Sequence, residues 1–322
     1  MKINVTKKDI LFNYISTTLN ILLGILFIPI ILKTLKSYEV GLWYVFSNIS
    51  SLVVLADFGF SQTIMRNISY CWSGAKELAS DGLNDGFISD HINYELLDKV
   101  IKVSKKIYLY ISIFVLLLCL TIGSFYIYFL LIKEGVSLYT LYFSLLSWLL
   151  YSGAIFINMY YSYWTPFLKG IGAMKETSVA NIISKSMYVI FGFIGLFNNG
   201  GLIWLSFIYL ISGMLFTYTN KFFFKRKIEK QINLKSKLEK NDFIKIFNIL
   251  WPNAKKLGIV MIGSFLINKS TTIICSLFLG LDITAQYGLS LQLLGIIYSF
   301  AQILYNGYIP ELTYLKVNNK KA

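Results

Sequence analysis

Histidine is almost missing: His91 is the single one in 322 residues. Histidine-based proton transfer and His-rich metal sites are therefore poor candidates for the chemistry of this chain. Cysteine is nearly as scarce. Cys71, Cys119 and Cys275 form no CxxC pair and no metal-ligand spacing, so neither a redox motif nor a metal centre is expected. Cys119 and Cys275 lie inside apolar runs, where a thiol serves as a small hydrophobe. Charge is thin as well, at 14% of residues, against about a quarter in an ordinary soluble domain. No Walker A motif occurs, which argues against ATP hydrolysis. Gly170-Ile171-Gly172 lacks both the third glycine and the βαβ setting of a dinucleotide fingerprint. No cofactor is expected.

What fills the chain instead is hydrophobic. Hydrophobic residues make up 56% of it, and the mean hydropathy is +0.62. Such a sequence cannot cover itself with polar surface in water, so its solvent is lipid, and backbone groups in lipid are satisfied within helices. Eight runs approach the length of a membrane helix: Ile10–Leu32, Val40–Ile64, Ile107–Ile132, Leu138–Tyr163, Ile182–Phe197, Leu202–Phe224, Leu257–Leu281 and Ala285–Ile309. The expected fold is all-α, a polytopic membrane helix bundle of about eight transmembrane helices. Pro29 can kink the first, because it donates no helical hydrogen bond. Lys2, Lys7 and Lys8 precede a run long enough to span, with no cleavage pattern after it, so a removable signal is not expected.

The net charge of +14 would suggest nucleic acid in a soluble protein. Here it follows the positive-inside rule, and no nucleic-acid partner is expected. With the N-terminus placed in the cytoplasm, nearly all the lysines and arginines fall on cytoplasmic segments. The exceptions are Lys33, Lys36 and Lys133 outside, and Lys185 and Lys269 within spans. Both termini are therefore expected to be cytoplasmic. The outside turns are a few residues each, which leaves no exported domain for chemistry. The segment Arg66–Lys106 is the one sizeable soluble piece, and from Ser89-Asp90 onward it reads as a capped helix running into the third span. The stretch Lys221–Lys256 reads as a basic loop, an orientation signal that can also meet anionic lipid.

An internal repeat is visible. Tyr38-Glu39-Val40-Gly41-Leu42 in the first outside turn matches Ala285-Gln286-Tyr287-Gly288-Leu289 in the last, at the same topological position. The seventh and eighth spans then repeat the first and second, as in transporters built from parallel six-helix halves. The expected organisation is a six-helix N-terminal bundle over 1–224, a basic cytoplasmic linker over 225–256, and the start of an incomplete second bundle over 257–322.

Four segments carry a resemblance to a known family. They are Tyr38-Glu39-Val40-Gly41-Leu42; Asp57-Phe58-Gly59-Phe60 leading to Arg66; Phe167-Leu168-Lys169-Gly170-Ile171-Gly172-Ala173-Met174-Lys175; and Asn268-Lys269 followed by Phe278-Leu279-Gly280 and Tyr287-Gly288. In order and spacing the chain resembles the O-antigen type polysaccharide flippases of the multidrug/oligosaccharidyl-lipid/polysaccharide (MOP) exporter superfamily. The resemblance implies two six-helix bundles around a central cavity. It also implies movement of a polyprenyl-diphosphate-linked oligosaccharide across the bacterial inner membrane by alternating access. Membrane lipids and other polysaccharide-assembly proteins are its implied partners. Two departures stand out: about four helices of the second bundle are lacking, and Asn268 stands where the family frequently has Asp.

Flipping moves a diphosphate past hydrocarbon, which demands a hydrated cationic path. Lys269, midway along the seventh span beside Asn268, is the first candidate to bind the diphosphate; a structural lysine is the bland alternative. Arg66, at the cytoplasmic end of the second span, is a candidate to receive the lipid diphosphate or an ordinary orientation anchor. Asp57 is a candidate ion-coupling carboxylate or a packing contact. Lys185 reads as a residue that snorkels to the interface. Asn13, Asn20 and Gln62 can line a sugar path or join helices, and Gly24, Gly41, Gly59 and Gly288 read as points of close helix approach. Other readings stay open: a membrane-embedded polymerase or acyltransferase, a truncated inactive flippase, and a multidrug exporter, which would want acidic rather than basic cavity groups.

Overall fold

A computed structural model describes residues 7–78, 91–228, 239–268 and 270–298, the side chains of 7–10, 228, 265, 267 and 268 excepted. The chain is all-α. In order, the helices are α1 (Lys7–Thr34), α2 (Ser37–Ala56), α3 (Phe60–Trp72), α4 (Tyr94–Leu118), α5 (Ser124–Lys133), α6 (Leu138–Tyr160), α7 (Trp164–Gly170), α8 (Met174–Phe197), α9 (Gly201–Ile228), α10 (Lys240–Asn268) and α11 (Ser270–Phe278). Residues 281–298 form a further helix, α12. A π-helical segment, Cys119–Gly123, joins α4 to α5.

Six helical stretches among the described residues are long and apolar enough to cross a membrane: Leu11–Thr34, Ser37–Ala56, Tyr94–Lys133, Leu138–Gly170, Met174–Phe197 and Gly201–Lys227. They overlap the first six expected runs; the seventh and eighth, Leu257–Leu281 and Ala285–Ile309, which include residues outside the described ones, are not among them. Large apolar side chains such as Phe125 and Leu138 point outward, as they do when the solvent is hydrocarbon.

Between helices in lipid the hydrophobic effect gives little, so packing rests on small residues, close contact and interhelical hydrogen bonds. The sequence supplies these. Ser184 Oγ on α8 donates to Ser212 O on α9 at 2.7 Å, and Asn181 Nδ2 donates to Ser16 Oγ on α1 at 3.3 Å. Gly213 on α9 lies so close to Asn158 that a Cβ there would sit 2.1 Å from its amide oxygen.

The second expected span, Val40–Ile64, is not one continuous helix. It breaks after Ala56, where Phe58 and Gly59 both take left-handed backbone angles, φ 47° and 77°. Asp57 restarts the chain: one carboxylate oxygen accepts from Ser61 N at 3.1 Å, and the other accepts from the Tyr108 hydroxyl of α4. The start of α4 is capped by Asn93, whose side chain accepts from Leu96 N at 3.0 Å; Ser89 and Asp90, from which a capped helix was expected, lie outside the described residues.

The stretch read as a basic loop is helical at both ends, because α9 runs to Ile228 and α10 starts at Lys240. The reason lies in the spacing: Phe243, Ile246, Phe247, Leu250 and Ala254 recur at three- and four-residue steps. This stripe joins a core cluster with Ile64, Ile68, Leu97 and Ile101 of α3 and α4. The start of α10 is therefore docked on the first bundle. Its residue Gly258 receives the Phe58 ring at the helix break, and a Cβ there would lie 2.5 Å from that ring.

At the opposite end, the turn after α5 grips the last hairpin. Lys133 Nζ donates to Leu277 O at 2.7 Å, and Glu134 Oε1 accepts from Leu281 N at 2.7 Å. One side chain thus closes the end of α11 while its neighbour caps the start of α12.

Candidate functional site

Four helices bring a polar stripe each to one place. On α8, Asn181, Ser184, Lys185 and Tyr188 share a face at three- and four-residue spacing; on α9, Tyr209, Ser212, Gly213, Phe216 and Thr217 do the same. With Trp43, Ser47 and Ser50 of α2 and Tyr151 and Asn158 of α6, they enclose a cavity of about 500 Å³. A second lobe of about 340 Å³ lies between α1, α2, α8 and α12 and shares Trp43, Ser47, Lys185 and Tyr188 with the first.

The lining is aromatic and hydroxylic. Tyr151 and Tyr209 stack with ring centroids 4.6 Å apart, and Trp43 stacks on Tyr188 at 6.4 Å. Ser50 Oγ lies 3.4 Å from the Tyr209 hydroxyl. The Tyr188 hydroxyl is buried with no hydrogen-bond partner among the described residues, although a buried phenol normally finds one. One charged side chain belongs to both lobes. It is Lys185, whose Nζ sits 5.4 Å from the Tyr188 ring centroid in a cation–π contact. No carboxylate lines either lobe among the described residues. A cavity so built can hold a polyhydroxylated ligand by stacking and hydroxyl exchange, and can neutralise one anionic group.

Of the candidates read from the sequence, Arg66 and Asp57 lie elsewhere. Lys269 falls outside the described residues, and so does the side chain of Asn268. Arg66 sits on α3, its Nε buried without a hydrogen-bond partner among the described residues. Asp57 sits at the α2–α3 break. Neither lines the two lobes, and Asn13, Asn20 and Gln62 do not line them either. Lys185, read as a snorkelling residue, lines both lobes of the cavity. Its signal was present in the sequence, since the polar residues around it share one helical face.

No protein-family model and no curated protein sequence matches this chain. Solved structures do. An outward-facing multidrug resistance MATE family transporter of the MOP superfamily aligns with a TM-score of 0.55 at 14% identity, over 95% of this chain and 68% of that one. The fold is MATE-like. A MOP superfamily transporter from Pyrococcus furiosus, whose binding pocket is described as of reverse polarity, aligns with a TM-score of 0.53 at 15% identity. That match covers 94% of this chain and 68% of the other. With six helices able to span and the fold of membrane transporters, the chain is a multi-pass membrane protein.

Proposed function

We propose that this chain is a transporter that carries a polyprenyl-diphosphate-linked oligosaccharide across the bacterial inner membrane, with both termini in the cytoplasm. The single observation that carries the reading is the cavity lining: stacked tyrosines and a tryptophan, serine hydroxyls, side-chain amides, and Lys185 as the charged group. Sugars present apolar faces to aromatic rings and hydroxyls to polar side chains. A diphosphate in low dielectric needs a fixed cation to replace its water. Cationic drugs call for the reverse polarity, a carboxylate. In this reading Lys185 meets the diphosphate inside the cavity. Arg66 receives it at the cytoplasmic side, and Lys269 with Asn268 offers a further contact on the second half. Membrane lipids and the other proteins of polysaccharide assembly are the partners it implies, and its work is translocation rather than catalysis.

Complementation of polysaccharide display in a flippase-deficient strain tests this. Lys185→Ala is expected to abolish display at normal membrane abundance, and Lys185→Arg to keep a measurable part of it. Full display with Lys185→Ala would remove Lys185 from the site. Extrusion of a cationic dye by the wild-type chain, without complementation, would favour the drug-exporter reading instead.

A further inference from the structure

α8 begins and α9 ends at the same surface of the membrane, since Met174–Phe197 and Gly201–Lys227 are packed spans joined by a short turn. At that surface they enclose a pocket of about 420 Å³, which shares no residue with either lobe of the central cavity. Its lining is Lys175, Glu176 and Val179 of α8 with Phe223, Arg226 and Lys227 of α9. At 3.6 residues per turn, the α8 members fall on the side of that helix away from Asn181, Ser184, Lys185 and Tyr188. The pocket and the cavity therefore lie on different sides of α8.

Three cations against one carboxylate leave the lining with a surplus of two positive charges. Glu176 Oε1 accepts from Lys227 Nζ at 2.7 Å. Lys175 Nζ lies 4.6 Å from the centroid of the Phe12 ring on α1, a contact that steadies the cation without cancelling its charge. Arg226 is exposed and enters no salt bridge among the described residues. Depth sorts the lining by polarity. Val179 lies one turn further into its span than Lys175, and Phe223 one turn further in than Lys227. Phe222, next to Phe223, is 51% exposed, as a side chain turned to acyl chains is. Both helices thus place a cation at the membrane edge and an apolar group below it. A phospholipid presents its phosphate and its chains in the same order. A soluble anion would match the cations and leave the apolar step unused.

We propose that this pocket binds the phosphate headgroup of an anionic phospholipid of the surrounding membrane. Arg226 is the main contact, because its planar fork meets two phosphate oxygens at once. Lys175 and Lys227 add point charges, and Val179 and Phe223 meet the first methylenes of the chains. Glu176 is the rival anion: it holds Lys227 in the empty pocket and shares it once the headgroup enters. The bound lipid ties the end of α9 to the start of α8, two of the helices that build the central cavity. The site goes beyond the transporter reading and holds whatever molecule the cavity carries.

Native mass spectrometry of the full-length protein, delipidated in a neutral detergent, counts bound lipids directly. Phosphatidylglycerol is expected to bind saturably and about fivefold tighter than zwitterionic phosphatidylethanolamine, the ratio one net charge gives near a membrane surface. Arg226→Gln should weaken phosphatidylglycerol about fivefold, and Arg226→Gln with Lys227→Gln at least about tenfold. Lys255→Gln with Lys256→Gln removes the same charge from exposed positions on α10, and should leave the affinity within about twofold. Glu176→Gln removes the rival anion and should tighten binding by about two- to fivefold. Inorganic phosphate at the same concentrations carries charge without chains, and should not displace the lipid. Equal weakening by the α9 and α10 pairs, or weakening by neither, would reduce the binding to general attraction and overturn the site. Equal affinity for the two lipids, or weaker binding in Glu176→Gln, would overturn it as well. Displacement by inorganic phosphate would give the pocket to a soluble anion instead. Should the α9 double variant or Glu176→Gln fail to fold, Arg226→Gln decides alone, since it leaves the Glu176–Lys227 pair intact. No substrate enters the experiment, so its failure and that of the flippase reading are separate results.

Discussion

The Tyr44 hydroxyl on α2 donates to Gln292 Oε1 on α12 at 2.8 Å, joining two helices 248 positions apart. Around this bond the two glycines of the internal repeat meet each other's helix. A Cβ on Gly41 would lie 2.3 Å from Leu281 O, and one on Gly288 would lie 2.4 Å from the Tyr44 ring. Each glycine thus supplies the gap into which the other helix packs. Any side chain added at either position must push α2 and α12 apart. Gly41→Leu and Gly288→Leu are each expected to destabilise the helix pair by ~1–3 kcal/mol, the usual cost of overpacking. The check is the apparent unfolding temperature in detergent, with Gly24→Leu as control, since nothing lies within 4 Å of a Cβ at Gly24. Equal losses at Gly24 and Gly41 would refute the interface.

That contrast shows what the sequence made legible. The first six spans were readable because length and hydropathy decide them, and the Gly-Leu pair that α2 and α12 share was readable as a pattern at corresponding turns. Gly24 looked like Gly41, yet only the neighbouring helix makes a glycine necessary, and neighbours are a tertiary fact. The break at Phe58-Gly59 was hidden inside an apolar run, since hydropathy does not register a left-handed turn. Lys185 was readable in principle. A lysine within a span invites the snorkelling explanation until its helical face is drawn, and then Asn181, Ser184 and Tyr188 fall in line with it. How the stripes of α2, α6, α8 and α9 converge on one cavity could be learned only from the packing.

Cys71 gives a prediction about reactivity. Its side chain is fully buried against α3's neighbours in the core cluster, and burial pushes its thiol up to about 12. At neutral pH the thiolate, which is the nucleophile, is scarcer by roughly five orders of magnitude than at full ionisation. Maleimide applied to the folded protein at pH 7 is therefore expected to leave Cys71 unmodified over hours. After denaturation in dodecyl sulfate, labelling should be complete within minutes. Peptide mass mapping reads both states. Rapid labelling in the folded protein would mean that α3 is not packed as described.

The π-helical segment Cys119–Gly123 is braced from the neighbouring helix by one side chain. A π turn frees backbone groups that the α pattern would satisfy. Here Cys119 O accepts from Ser124 N–H and, at 3.3 Å, from Ser124 Oγ, and Trp148 of α6 adds to both, donating from Nε1 to Cys119 O at 3.3 Å and to Ser124 Oγ at 3.1 Å. Its ring lies against Gly123, where a Cβ would come within 2.6 Å. Trp148 is fully buried, so Trp148→Phe removes one donor from a carbonyl that keeps those of Ser124, at the ordinary net cost of a hydrogen bond, about 0.5–1.5 kcal/mol. Gly123→Ala keeps the donor but forces the ring aside, and should cost a similar amount by strain. The two effects act through one contact. The double variant, whose smaller phenyl ring leaves room for the added methyl, is expected to lose less than the two single losses together, by ~0.5–2 kcal/mol of coupling. Unfolding of the four proteins in one detergent measures that difference. Strict additivity would show that Trp148 and Gly123 act separately and that the bulge is held by something other than this ring.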